Sequence, residues 1–258
     1  MHSISRRSFL IGAPAALAAC TTTAPPPVAQ GPSIDPMYFD MYAEITTEPY
    51  SVPAVDLTQI NPSYLRQVVS FAGPQEAGTI VVDPYRHYLY LVMEGGRAMR
   101  YGVGVGREGF GWSGNATIRR KAAWPTWTPP ASMIRRQPEL AEWASGMPGG
   151  MDNPLGARAL YLYQGDRDTL YRIHGTNEPW SIGQSVSSGC IRLINQDIID
   201  LHRRVPIGTR VTVLSSGSPQ VASTGAAAPL ASDDWVNPDL TVTDIPEIDG
   251  QAQIAVWR

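Results

Sequence analysis

Three observations in the sequence predict a mostly β domain, a sandwich or barrel-like architecture. Short runs of β-branched and aromatic residues recur between turn signals from Gly78 to Leu214. The 24 glycines and 23 prolines among 258 residues supply many turns and leave little room for long helices. Helical spacing is confined to a short stretch, where Ile198, Leu201, His202 and Val205 recur one turn apart. A hydrophobic content of 43% is ample for a core.

Taken in order, residues 1–19 read as an export leader rather than as fold. Ser5-Arg6-Arg7-Ser8-Phe9-Leu10 carries the twin-arginine pattern, and the apolar segment Phe9–Ala19 is too short for a span, which needs about 20 residues. Leu17-Ala18-Ala19-Cys20 has the form of a lipoprotein signal-peptidase box, which would make Cys20 a lipidated anchor on a membrane surface. The alternative is an ordinary cleaved signal with an incidental cysteine. Loss of residues 1–19 removes Arg6 and Arg7 and no acid, so the charge becomes 18 − 23 = −5. An acidic chain without a basic run has no electrostatic footprint for nucleic acid.

Residues 20–36 are rich in Thr, Pro and Ala and form an extended tether. Residues 37–77 carry aromatics and Pro turns and are expected to pack on the domain, with a helical turn at Pro62–Arg66. The domain itself is placed at 78–214. Thr79–Pro84, Tyr88–Val92 and Met99–Gly106 read as strands, the second and third joined by a hairpin turn at Glu94–Arg97. Gly102, Gly104 and Gly106 would permit close backbone approach along the third. His87 is placed among the strand side chains. Residues 107–156 show little periodicity but hold Trp112, Trp124, Trp127 and Trp143, which argues against disorder. They read as a lid beside a cleft or a loop packed on the flank, with a short helix at Gln137–Ser145 opened by Pro138. Ala157–Gln164 and Thr169–His174 are two strands joined by the turn Gly165–Asp168. Asn195 is a good N-cap for a helix over 196–205, with Asp197 in its first turn. Arg210–Leu214 is the last strand. Residues 215–258 begin as a linker and end apolar, able to dock on the domain or on another protein.

The chemistry concentrates between His174 and Arg192, reading H-G-T-N-E-P-W-S-I-G-Q-S-V-S-S-G-C-I-R. A cysteine is a strong nucleophile as thiolate, which a nearby imidazole favours. Gly189 allows a sharp turn before Cys190, and the N–H groups of Ser188, Gly189 and Cys190 can point at a developing oxyanion. Arg192 suits a carboxylate ligand or a structural salt bridge. Trp180 and the Ser181-Ile182-Gly183 turn form one wall. With Cys20 lipidated, Cys190 is a free thiol in an oxidising compartment; a Cys20–Cys190 disulfide is the rival. No metal cluster is evident, and the alternating glycines lack the helix that a phosphate loop precedes, so neither metal nor cofactor is expected.

These segments, H-G-T-N, S-S-G-C-I-R, the short helix and the Ile207-Gly208-Thr209-Arg210-Val211 strand entry, resemble the catalytic domain of the L,D-transpeptidases of peptidoglycan cross-linking. The resemblance runs from about Gly78 to Leu214 and implies a mixed-sheet β fold. It implies that Cys190 attacks the L-D amide of a tetrapeptide stem, releasing D-Ala, with His174 as base and acid. The acyl group then passes to a stem amine in a 3→3 cross-link, to an envelope protein, to a D-amino acid, or to water. It marks Ser187, Gly175, Trp180 and Arg192 as substrate-side residues, and the periplasm or cell envelope as the site of action. Ser188 departs from the histidine that many members carry there. Gly175 offers no hydroxyl to orient His174, so a backbone carbonyl must do so. An L,D-carboxypeptidase and a non-catalytic peptidoglycan-binding lipoprotein are the alternatives.

Overall fold

The computed structural model describes residues 34–106, 112–187, 189–216 and 218. The leader, Cys20 and nearly all of the tail lie outside them.

Chain order begins with α1 (Met37–Met41) and a 3-10 turn at Pro62–Tyr64, inside the stretch read as a helical turn. Strands β1 (Gln67–Ser70), β2 (Ile80–Asp83), β3 (Tyr88–Met93), β4 (Arg97–Gly102) and β5 (Val105–Gly106) follow. Next come β6 (Gly114–Ala123), α2 (Ala131–Arg136) and a 3-10 helix at Pro138–Trp143. The site half holds β7 (Arg158–Gln164), β8 (Arg167–His174), β9 (Ser185–Ser187), β10 (Ile191–Arg192), α3 (Asn195–Arg204) and β11 (Arg210–Val213). Nine strands form one mixed sheet in the order β1-β4-β3-β2-β11-β6-β7-β8-β10, and β5 pairs with β9 separately. The β11–β2, β10–β8 and β5–β9 pairs are parallel and the rest antiparallel.

The strand pleat explains the burial. Ile80, Val82, Leu89 and Leu91 enter the main core with Ile173, Ile191 and the α3 residues Ile198 and Leu201. Val81, Tyr90 and Val92 point to the opposite face, where Phe71 and Leu214 join them. Both faces of β2 are therefore covered, which is why its sequence is a continuous apolar run rather than an alternation.

Several expectations are corrected. Residues 114–123, read as part of the lid, form β6 between β11 and β7 in the sheet. Its inward residues include only Ala116 and Ile118 as core apolar groups, while Arg119 and Arg120 are exposed, so the alternation is faint. Lys121 donates to the carbonyls of His202 and Val205 and binds β6 to the end of α3. β1, within the stretch expected to pack on the domain, is the sheet's outer strand beside β4. His87 is not in a strand; it occupies the β2–β3 turn with φ 60. Asn195 is the first residue of α3 and not its N-cap; Ile194 holds that position without a side-chain cap.

Residues 37–77 pack through Tyr42, Leu57, Ile60 and Leu65 against Ile182 and Ile194. A buried charged cluster joins them to α3. Arg66 lies 3.1 Å from Asp200 and 3.7 Å from Asp197, and Tyr101 donates to Asp200 at 2.7 Å. Asp197 is wholly buried, and burial pushes its carboxyl up to about 7 against the pull of Arg66. The Tyr42 hydroxyl donates to Asp197 at 3.1 Å and accepts the Arg66 N–H at 2.7 Å. Tyr42→Phe should therefore cost about 1–3 kcal/mol in urea unfolding, because it leaves a buried N–H and a buried carboxyl oxygen without that partner. A loss below about 0.5 kcal/mol would contradict this role.

Candidate active site

His174 ends β8, with its backbone opposite Ala159 of β7 and Arg192 of β10. Its carbonyl accepts the Leu193 N–H at 2.8 Å, so the strand end is tied on both sides. The side chain is buried. Its Nδ1 lies 2.6 Å from the Gly175 carbonyl oxygen. A carbonyl only accepts, so Nδ1 carries the proton and Nε2 presents a lone pair. Burial and the Arg192 cation pull the imidazole down to about 3 despite the Gly175 bond. The ring is a neutral acceptor.

Cys190 directly precedes β10, whose Ile191 pairs with Ile173 and whose Arg192 pairs with His174. The parallel pairing thus brings the cysteine and the histidine to neighbouring strands. Among the described residues Cys190 is a free thiol; Cys20, its rival disulfide partner, lies outside them. Burial raises its pKa, opposed by the Arg172 backbone N–H and by the Arg172 and Arg192 cations. Burial thus favours the neutral form of both groups, the imidazole of His174 and the thiol of Cys190.

The turn into Cys190 is held from inside. The Ser187 hydroxyl donates to the Cys190 carbonyl at 2.7 Å and accepts the Gly189 N–H at 3.2 Å. Buried Ser187 therefore braces the turn, and the Gly189 N–H is engaged there instead of being directed at an oxyanion. Gly189 has φ 127, which a side chain rarely adopts. Gly106 of β5 packs on it: an added Cβ would lie 2.8 Å from the Gly189 Cα. The glycine strand does permit close approach. Ser188 lies outside the described residues.

Arg192 donates to Glu178 at 2.8 Å, so its resting partner is a salt bridge; Glu178 is 45% exposed. Trp180 is 54% exposed on the 3-10 turn Pro179–Ser181. Gly175 is buried, and an added Cβ would lie 2.3 Å from the Asn195 side chain, so packing alone requires the glycine. His202, read as structural, sits on α3 with its ring pulled down to about 3 by burial.

Sequence reasoning missed several neighbours. Arg172 pairs with Asp168 at 2.7 and 2.8 Å and stacks over Tyr161, and nothing in its local pattern marks it. Trp112 stacks on Tyr171 at 5.4 Å, and Tyr171 lies within 3.6 Å of the Cβ position at Gly189. Glu178 lies inside the H-G-T-N-E-P-W segment and was legible as a partner for Arg192.

These charge states predict the thiol's behaviour. Alkylation of Cys190 by iodoacetamide should rise with a midpoint above about 8.5, the ordinary thiol value, and show no step from His174 between about pH 5 and 7. A plateau already reached below about pH 7 would contradict the neutral pair.

Residues 77–213 match the L,D-transpeptidase catalytic domain family, YkuD. A probable L,D-transpeptidase YbiS of Escherichia coli K12 is 45% identical over 112 residues, 42% of this chain and 35% of that protein. A probable L,D-transpeptidase YcfS of the same organism is 35% identical over 154 residues, 56% of this chain and 45% of that protein. A solved Brucella melitensis chain, described as a probable carnitine operon oxidoreductase, is 49% identical. The match covers 62% of this chain and 99% of that one, with a TM-score of 0.43. The chain spans less than half the length of these two curated relatives. With the family match extending over more than half of its residues, the chain belongs to the L,D-transpeptidase catalytic domain family.

Proposed function

We propose that the chain is a peptidoglycan L,D-transpeptidase acting through a thioester on Cys190. The observation that carries this is the ring of His174, whose Nδ1 proton is fixed on Gly175 while Nε2 is left as the acceptor beside the cysteine strand. Nε2 takes the thiol proton as sulfur attacks the carbonyl carbon of the L-D amide in a tetrapeptide stem. The Cys190 N–H serves the oxyanion, a donor type worth about 10²–10³ in rate. The imidazolium returns its proton to the departing D-Ala nitrogen, leaving a thioester. An acceptor amine then attacks, its proton passes through Nε2 to sulfur, and the thiol is restored. Acceptors that fit are a neighbouring stem or an envelope protein.

Arg192 holds a stem carboxylate in this reading, with Glu178 giving way to it. The twin-arginine pattern and Leu17–Cys20 support export and anchoring by acyl chains on Cys20. Labelled palmitate should enter the wild type and not Cys20→Ala; equal labelling of both would refute the anchor.

Incubation with a disaccharide-tetrapeptide, followed by mass spectrometry, tests the chemistry. The expected products are free D-Ala and a cross-linked dimer, both lost in Cys190→Ala. D-Ala without dimer would make the chain an L,D-carboxypeptidase. Turnover that persists in Cys190→Ala would end the thioester reading.

A further inference from the structure

We propose that Asn195 is the positioning residue of the histidine base, bracing through Ala157 and Thr176 the loop whose Gly175 carbonyl orients His174; the proposal rests on His174 being that base. Asn195 is buried at the start of α3. Its Oδ1 accepts the Ala157 N–H at 2.9 Å and its Nδ2 donates to the Thr176 carbonyl at 3.0 Å. One amide thus bridges the segment entering β7 and the segment leaving β8.

The two glycines make the clamp tight. A Cβ at either Gly156 or Gly175 would lie 2.3 Å from the Asn195 Oδ1, so the amide fills space that any side chain there would claim. The Cβ position at Gly156 is also 2.6 Å from the Thr176 nitrogen and 2.8 Å from the Gly175 carbonyl carbon. Gly156 therefore packs directly on the peptide group that carries the Gly175 oxygen. The Gly175 N–H is fixed in turn on the Arg158 carbonyl at 3.0 Å. With the N–H before it and the carbonyl after it both tied, the Gly175 carbonyl has one orientation, onto Nδ1 at 2.6 Å.

The local sequence rule broken here supports the assignment. Asparagine at a helix start ordinarily caps it, and this helix has no side-chain cap. The amide that could serve the helix is turned to the two glycine segments instead, a local sacrifice of the kind that marks functional positions. Asn195 also adds no charge beside an imidazole that burial keeps neutral.

Two variants of the full chain separate positioning from mere structure. Asn195→Ala removes both arms of the clamp. Asn195→Asp keeps the acceptor for Ala157 and replaces the donor to Thr176 by an oxygen facing an oxygen. ¹⁵N-histidine NMR, with His174 assigned through His174→Ala, should show the Nδ1–H form in the wild type and a mixture in folded Asn195→Asp. Release of D-Ala should fall about 10²-fold in kcat with KM unchanged, the size expected of a misplaced catalytic group. Wild-type tautomer and kcat in folded Asn195→Asp would overturn the proposal, whether or not Asn195→Ala folds. A change confined to KM would also overturn it. Should His174→Ala retain D-Ala release, the base assignment fails instead, and the tautomer comparison still reports whether Asn195 orients the ring.

Discussion

The parallel pairing of β8 with β10 is the constraint on which the site depends. It is only two residue pairs long, Ile191 with Ile173 and Arg192 with His174. Yet it places a histidine at the end of one strand against the strand that a cysteine directly precedes. So short a ladder has little stability of its own, and the surroundings supply it. Ile173 and Ile191 are buried in the main core, the Gly104 backbone bonds Arg192 in both directions, and Gly106 packs on Gly189. Gly104 and Gly106 are thus contact surfaces for the residues that flank Cys190.

Helix α3 serves both halves of the chain. Its charged inner face receives Arg66 and Tyr42 from residues 37–77, and its first residue reaches back to the loop after His174. Ile198 and Leu201 fill the core beneath the sheet. The segment that precedes the catalytic domain is therefore packed on the same helix whose first residue bonds Thr176, two residues after His174. Electrostatics follow from this burial. Burial favours neutral forms, drawing the His174 imidazole down and the Cys190 thiol up.

Much of this was legible in the residues. The H-G-T-N and S-S-G-C-I-R segments marked His174 and Cys190, and strong apolar runs marked β2, β3, β7 and β8. β6 was hidden because a strand that contains Arg119, Arg120 and Lys121 offers two core apolar side chains and no clear alternation. Asn195 read as a cap because local preference is all that sequence displays, whereas its partners Ala157 and Thr176 are set by tertiary structure. His87 read as a strand residue, although histidine tolerates the left-handed conformation it adopts in the turn. The direction of the Gly189 N–H and the protonation of Cys190 depend on burial and on single-atom geometry, which no residue pattern encodes.

The central claim is that Cys190 carries the acyl group, with the proton taken by a neutral His174. Rapid mixing with a disaccharide-tetrapeptide, quenching in acid and intact-mass analysis with peptide mapping would test it most directly. The expected result is a transient adduct equal to the stem less D-Ala, mapped to Cys190, and formed far more slowly in His174→Ala. An adduct on another residue, or equally fast acylation without the imidazole, would contradict it.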